Sequence, residues 1–599
     1  MAILGISAFY HDAAAAIIHD GKIMVAAQEE RFTRIKNDAS FPENAIRFCL
    51  ESTSLSLNEL EAIAFYDKPF LKFERLLETY LEYAPKGLSS FLISMPIWVK
   101  QKLFIKQEIY KALNQIEKFD RKVVAVLFPE HHLSHAASTF FVAPFSDSAI
   151  LTIDGVGEWA TTTISYGTGN KITTLKELHF PHSVGLLYSA FAYYCGFKVN
   201  SGEYKLMGLA PFGNLKAHRT KEFIAKIKSS LCTVYNDGSI RLNMKYFAFP
   251  YGLKMINSKN WERLFGFPAR IPESNIEPYY CDLALAIQTV IEEIIIKLAK
   301  EAKRLTGAST LCMAGGVALN CVANGKLQDE QIFDDIFIQP AAGDAGGSLG
   351  AALAVNYLYF DKERCRVADS DSMNGSLLGP AYSEDEVVKT LKKNKASYKK
   401  YLNEEELLDD VAQLLEQGNV IGWHQGRSEF GPRALGARSI IADARNPSMQ
   451  EKLNLKIKFR ESFRPFAPMV LAEDAKKYFD INKPSPYMLF VRPIQKNRQI
   501  NVPDNTENIY EKLKFIRSDV PAVTHVDYTA RVQTVHHEIT PKLWKLLLAF
   551  KSRTGCSVLV NTSFNVRGEP IVNTPEEAYH CFIKTDMDCL VIGNILLRK

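Results

Sequence analysis

Two stretches of the chain repeat one hydropathy pattern. Ile3-Leu4-Gly5-Ile6 runs apolar into a polar turn at Ser7 to Asp12 and out through Ala13 to Ile18, while Ile150-Leu151-Thr152-Ile153 runs into Asp154-Gly155-Val156-Gly157-Glu158 and out through Ala160 to Ile164. Each reads as a strand, a tight turn and a second strand, with Gly21 and then Gly167 or Gly169 marking the next turns. The repeat predicts a duplicated N-terminal half, whose two hairpins face one another and grip a nucleotide's phosphates with their turn amides. Further on, Leu283, Ile287, Val290, Ile291, Ile294, Ile295 and Leu298 recur at helical spacing and predict a core helix over residues 281–303. A short strand, Thr310 to Ala314, follows and runs into Gly315-Gly316-Val317-Ala318-Leu319-Asn320. Glycines between a strand and a helix let a flat ring such as adenine lie on the backbone, and the helix N-terminus favours an anion. Another such turn, Pro340 to Gly350, places Asp344 at a strand end before a helix of small residues.

The pattern changes at Asp361-Lys362-Glu363-Arg364 and again at Asp369-Ser370-Asp371-Ser372, which read as a linker. We therefore expect two domains, 1–365 and 366–599, both α/β. The second opens with an N-cap and acidic first turn at Ser383-Glu384-Asp385-Glu386. It then offers four basic segments: Arg427 to Arg438 with Arg433, Lys456 to Arg464, Thr529-Ala530-Arg531, and Asn561 to Arg567. In each, cations are interleaved with apolar or turn-forming residues and are expected partly inside, where converging guanidinium forks make a phosphate pocket. In the first domain, Ser201 to Gly213 reads as a glycine and proline loop that could bring Glu203 or Lys205 to a ribose or phosphate.

Composition excludes several classes. At 599 residues, 47% hydrophobic and 23% charged, the chain has the make-up of an ordinary folded protein. Lys and Arg number 72 against 67 Asp and Glu, and a net charge of +5 argues against a nucleic-acid-binding surface, so any anion site is local. The ten cysteines form no CxxC pair, which speaks against a zinc ribbon or a disulfide framework and fits a reducing cytoplasm. Met1 to Ile6 reads as a strand rather than a signal peptide. The apolar run Phe91 to Val99 is too short to span a membrane and contains Pro96, so a buried or groove-lining helix is expected there.

One motif brings in metal chemistry. In Pro129-Glu130-His131-His132-Leu133-Ser134-His135, the first and last histidines are four residues apart and share one face of a helix. Asp154 and Asp344, both on cleft turns, are the carboxylates expected to join His131 and His135. Such a set leaves coordination positions open and suits iron(II) or another divalent ion. His132 points off the shared face and is given no ligand role.

Taken together, His131 to Ala137, Gly202 to Gly208, Gly315 to Asn320, Phe430 to Gly436 and Phe463 to Pro468 resemble the O-carbamoyltransferases of the nodulation, cephamycin and tobramycin type. The resemblance implies an N-terminal domain of the duplicated actin and sugar-kinase fold, similar to the tRNA threonylcarbamoyl transferase, and a C-terminal domain similar to the threonylcarbamoyl-adenylate synthases. It implies that carbamoyl phosphate and ATP, with Mg2+, form carbamoyladenylate at the C-terminal site, and that a hydroxylated small molecule then accepts the carbamoyl group near iron(II) at the N-terminal site. A saxitoxin-type alcohol is one acceptor within the family's range. By the same resemblance, Glu203, Lys205, Gly315, Gly316 and Asn320 are nucleotide contacts, and Arg433, Lys458, Arg464, Arg531 and Arg567 clamp carbamoyl phosphate and ATP. His11, Asp12 and Lys36 are the candidates to orient or deprotonate the acceptor hydroxyl. The polar stretch Ile494 to Asn508 reads as an enlarged loop that leaves Arg531's place in the clamp open. No nucleic-acid or membrane partner is expected; the oligomeric state is left open, with a homodimer entertained. Two other readings are a tRNA threonylcarbamoyl-type modification enzyme and a non-catalytic nucleotide-binding protein on the actin fold.

Overall fold

The computed structural model describes every residue except 99–103, 365, 367–369, 504–505 and 507. The expected domain boundary at residue 365, the Asp369 end of the linker, the Val99 end of the apolar run and part of the 494–508 loop lie outside the described residues. The chain forms two compact units, Met1–Glu29 with Ala39–Ser372, and Glu30–Asp38 with Met373–Lys599. The nine residues from Glu30 to Asp38 thus leave the first unit and belong to the second.

The first unit holds two five-stranded sheets. One is built from β1 (Ala2–Ser7), β2 (Ala14–His19), β3 (Lys22–Gln28), β4 (Ala62–Phe65) and β5 (Ala125–Leu127), in the order β3-β2-β1-β4-β5. A small hairpin, β9 (Cys232–Val234) with β10 (Ile240–Leu242), lies outside both sheets. The other is built from β6 (Asp147–Ile153), β7 (Ala160–Thr168), β8 (Lys171–His179), β11 (Thr310–Ala314) and β12 (Asp335–Ile338), in the order β12-β11-β6-β7-β8. Read from the other edge, this is the same plan, with three antiparallel strands followed by two parallel ones. The duplication is that of the actin and sugar-kinase fold. It assigns equivalent places to the helix His131–Phe140, which follows β5, and the helix Asp344–Ala354, which follows β12.

Those two helices meet backbone to backbone. A Cβ added to Gly350 would land on the Ser134 carbonyl, and one added to Gly5 of β1 would land on the carbonyl of Ser348. Only glycine permits either approach. The long amphipathic helix Pro278–Thr306 buries Leu283, Ile287, Val290, Ile291, Ile294, Ile295 and Leu298, as its spacing predicts. The Ser201–Gly213 stretch is not an open loop. It forms a helix, Glu203–Leu209, and a single 3-10 turn, because the Glu203 carboxylate takes the Asn200 and Gly202 amides and Pro211 starts the turn. The apolar run near residue 91 forms the helix Leu88–Ile97, but Leu92 and Ile93 face outward at 63% and 56% exposure. Its inward side is fixed by Ser90 on the Tyr80 hydroxyl (2.8 Å) and Phe91 edge-on to the Tyr80 ring.

The second unit is built on an eight-stranded mixed sheet. Its strands are β13 (Lys399–Lys400), β14 (Ile421–His424), β15 (Arg438–Asp443), β16 (Ala467–Leu471), β19 (Gln533–Val535), β20 (Val558–Ser563), β21 (Cys589–Ile592) and β22 (Ile595–Arg598). They run in the order β13-β22-β21-β14-β15-β20-β16-β19, while β17 (Val491–Pro493) and β18 (Thr529–Arg531) pair separately. Helices Glu404–Glu416 and Pro541–Thr554 bury Leu407, Leu408, Val411, Leu543, Leu546 and Leu547 in its core. Ser383 caps the helix Glu384–Lys393 in a full capping box with Glu386. No helix among the described residues is long and apolar enough to cross a membrane.

Candidate functional site

In the first unit the two equivalent helices deliver three of the four expected metal-ligand candidates. His131 and His135 lie one turn apart on the first helix, Asp344 opens the second, and Asp154 follows β6. Their ligand atoms lie within 4.8 Å of one another. His131 Nε2 is 2.9 Å and His135 Nε2 3.2 Å from Asp154 Oδ2, the two Nε2 atoms are 3.1 Å apart, and each is 3.8 Å from Asp344 Oδ1. Metal–ligand bonds of about 2.1 Å place neighbouring donors roughly 3.0–3.4 Å apart, so these spacings suit one ion. Both Nδ1 atoms are buried without a hydrogen-bond partner, leaving Nε2 as the working nitrogen of each ring. Burial raises Asp344, an effect that Asp154's charge reinforces and His11 opposes; against its own burial, Asp154 is held well below the usual carboxylate range by the two imidazoles. Two carboxylates and two imidazoles gathered into one buried volume are a donor set that could hold a divalent cation. His132 is turned away, its Nδ1 2.6 Å from Thr152 Oγ1, and burial pushes it down to about 3.

Around the four stands a layer that the sequence did not single out. Glu158 accepts the backbone N–H of His131 (3.0 Å) and that of Lys68 (2.8 Å), capping the histidine helix. Tyr66 lays its ring edge-on to His131, and Lys72, paired with Asp67, sits 5.2 Å from the centre of the same ring. The only legible signal was that Tyr66-Asp67 follows an apolar run. His11 and Asp12 stay together, His11 Nδ1 lying 3.0 Å from Asp12 Oδ2 and Nε2 3.8 Å from Asp344 Oδ2. Burial lowers the His11 imidazole, but Asp344 and Asp12 outweigh it and raise it to about 9.

The expected nucleotide contacts divide. Gly315 turns with φ +91°, where a Cβ would strike the Ile153 carbonyl, and Gly316 donates its N–H to Asp154 Oδ1 at 3.1 Å, tying the glycine turn to the ligand cluster. Asn320 caps the helix Cys321–Asp329, and both ends of its amide pair with Gln288 at 3.1 Å. Glu203 is held by the Ser189 hydroxyl (2.7 Å) and the two loop amides, and Lys205 lies 5.8 Å from the centre of the Phe197 ring. Asn320 thus stands at the end of the glycine turn, while Glu203 and Lys205 are engaged around their own segment.

In the second unit, strand register gathers the basic residues. β15 begins opposite the end of β20 (Ser439 with Ser563), β16 begins beside Asn561, and β19 begins beside β16 (Gln533 with Met469). Arg433, Arg464 and Arg531 precede β15, β16 and β19, and Arg567 follows β20, so all four issue from one end of the sheet. The loop with Arg433 is tied there by Leu435 O to Gln533 Nε2 (2.7 Å) and Ala434 O to Asn561 Nδ2 (3.1 Å). Lys458 is buried at 2% exposure, and its ammonium donates to the Ser563 carbonyl, Asn565 O (3.0 Å) and Asn565 Oδ1 (2.7 Å). Burial, then Arg460, Arg464 and Lys36, push it well below the ordinary lysine range. Lys36, expected with His11 and Asp12, lies in the Glu30–Asp38 segment that belongs to the second unit. Arg464 and Arg567 both reach toward Glu461, at 3.9 Å each. Arg438, fully buried, spends all five N–H groups on the carbonyls of Pro380, Gln425, Gly426, Ala437 and Asn573 and so holds the loop's base.

Comparison with known proteins agrees with this division. Residues 2–353 match the family model "Carbamoyltransferase N-terminus" and residues 412–599 match "Carbamoyltransferase C-terminus". An uncharacterized protein of Synechocystis sp. is 53% identical over 100% of this chain and 96% of its own. Nodulation protein NolNO of Sinorhizobium fredii is 35% identical over 99% of this chain and 79% of its own. The 3'-hydroxymethylcephem-O-carbamoyltransferase of Streptomyces clavuligerus is 30% identical over 54% of this chain and 56% of its own. The chain belongs to the carbamoyltransferase family.

Proposed function

We propose that this carbamoyltransferase is ATP- and carbamoyl phosphate-dependent and carbamoylates a hydroxyl group of a small metabolite. The observation that carries the reading is the buried Lys458 amid Arg460, Arg464 and Lys36, at the sheet end to which Arg433, Arg531 and Arg567 are also delivered. The buried Lys458 and the half-buried Arg433, Arg460, Arg464 and Arg531 suit a ligand with several anionic oxygens, as in a phosphoanhydride or acyl phosphate. The second unit would hydrolyse carbamoyl phosphate to carbamate and phosphate, then join the carbamate to the α-phosphate of ATP with loss of pyrophosphate. In the first unit the acceptor hydroxyl attacks the carbamoyl carbon of carbamoyladenylate and AMP departs. His131, His135, Asp154 and Asp344 would hold a divalent ion, with iron(II) among those the donors suit, and it would supply positive charge to phosphate or carbonyl oxygen. His11, steered by Asp12 through Nδ1, is placed to orient the acceptor hydroxyl, and its raised imidazole favours a donating, protonated ring there. Gly315 and Gly316 let the nucleotide approach the backbone.

The test supplies ATP, Mg2+, carbamoyl phosphate and a panel of alcohols, and follows phosphate, pyrophosphate and carbamoylated product by mass spectrometry. Equal release of phosphate and pyrophosphate, with product from at least one alcohol, is the expected result. Pyrophosphate release that ignores carbamoyl phosphate, or modification of tRNA alone, overturns the reading.

A further inference from the structure

Tyr66 closes β4 and is anchored through its backbone. Its N–H donates to Ile6 O (3.0 Å), and its carbonyl accepts the Ser134 hydroxyl (3.0 Å) of the histidine helix. The ring is clamped by three neighbours: His131 edge-on at 5.4 Å between centroids, Lys72 Nζ at 5.2 Å from its centre, and the backbone at Gly347, where a Cβ would come within 2.9 Å of the ring. A side chain held so firmly has one position for its hydroxyl. That position is buried, at 1% exposure for the residue, and the hydroxyl has no hydrogen-bond partner among the described residues. A buried phenol left so carries an uncompensated desolvation penalty, which a group from outside the chain can relieve. The ring stands edge-on to His131, one of the four clustered side chains, which puts the residue at the edge of the ligand cluster.

We infer that the Tyr66 hydroxyl is a ligand-contacting group of the first unit's site, donating a hydrogen bond to an anionic oxygen of the molecule held beside His131, His135, Asp154 and Asp344. The inference rests on the reading of that cluster as the carbamoyl transfer site. The oxygen belongs either to a phosphate of the nucleotide or to the carbamoyl group. No bond to Tyr66 is made or broken. Its proton is shared with the oxygen as negative charge gathers there, in the manner of an oxyanion-hole donor.

Tyr66→Phe removes the hydroxyl and keeps the ring against His131. Three measurements on the Co(II)-loaded full chain separate the possibilities: metal content, affinity for ADP by calorimetry, and the rate of carbamoyl transfer. If the oxygen is a phosphate's, Tyr66→Phe binds ADP about 10–100-fold more weakly, the cost of one hydrogen bond to a charged group. If it is the carbamoyl group's, ADP affinity holds and the transfer rate falls about 100-fold or more. Metal content stays at the wild-type level in both cases. Unchanged ADP affinity together with an unchanged transfer rate overturns the inference, as does metal loss in parallel with either, which makes Tyr66 a prop for His131 only. The ADP measurement needs no acceptor alcohol, so a weakened ADP affinity supports the inference even if the wild-type protein carbamoylates nothing offered to it.

Discussion

The residues whose roles are easiest to test are those whose polar atoms point at one another. His131→Ala with His135→Ala removes both Nε2 donors and leaves two carboxylates in a pocket too apolar to hold an ion alone. Metal content by elemental analysis is expected to fall at least ten-fold, while pyrophosphate release from ATP and carbamoyl phosphate continues, because that step is assigned to the other unit. Retention of full metal content removes the assignment. Arg464→Ala frees Glu461 from one of its two cations and takes a fork from the sheet end. Phosphate release from carbamoyl phosphate is expected to fall about 100-fold or more, with the metal unaffected. Lys458 is less suited to such a test, since its loss also strands the acceptors on Ser563 and Asn565. The histidine pair was legible at this level because a four-residue spacing on a helix is a local property. Tyr66 was not, because nothing in Phe65-Tyr66-Asp67 marks the hydroxyl as stranded.

Among elements, the decisive contact is that between the histidine helix and the Asp344 helix. Their approach is set by Gly350 against the Ser134 carbonyl, and it determines how far Asp344 stands from the two imidazoles. Gly350→Ala is expected to lower the melting temperature, at a cost of about 1–3 kcal/mol for overpacking, and to weaken metal binding at the same time. Gly343→Ala, one residue before the Asp344 helix, meets no atom within 4 Å and is expected to change neither. Melting curves and metal titrations on the two variants check this, and equal behaviour of the pair removes Gly350 from its role. The small-residue character of Ala341 to Gly350 was visible in the sequence as a turn and helix start; that it exists to admit a second helix is visible only once the duplicated sheets put that helix there. The Glu203 segment shows the converse. Its glycines and proline suggested a ligand loop, but Gly202 and Pro211 mark the start and end of helical turns, and the Glu203 carboxylate is taken up locally.

For the molecule as a whole, one half-buried lysine bears on stability against pH. Lys542 donates to Gly593 O (2.7 Å) and Asn594 Oδ1 (2.6 Å) and is lowered by burial, from 10.5 to about 8. Between these values the unfolded chain binds a proton that the folded chain does not, so this residue's contribution makes stability rise as pH goes from 8 to 10.5. In urea titrations the difference in stability between the wild type and Lys542→Met is expected to shift in the wild type's favour across that window; a difference that stays flat shows that the amine is not titrating there. The chain's modest net charge of +5 is consistent with anion sites that are local rather than spread over a basic face.

Periodicity and local chemistry were enough to give the strand-turn-strand repeat, the 281–303 helix, the β11 strand, the Ser383 cap and the helical histidine pair, because each depends on neighbours within a few residues. The family motifs added the fold and the carbamoyl chemistry by resemblance. Tertiary structure decided how distant groups meet: the distances at which Asp154 and Asp344, already expected there, stand from the histidines, that Gly316 ties its turn to Asp154, that strand register brings Arg433, Arg464, Arg531 and Arg567 to one sheet end, and that Lys36 belongs to the second unit. The physical reason is the same throughout. Hydrogen bonding and hydrophobic spacing along a strand or helix are written in adjacent residues, whereas the convergence of charges depends on how sheets pair and helices pack, and those contacts join residues hundreds of positions apart.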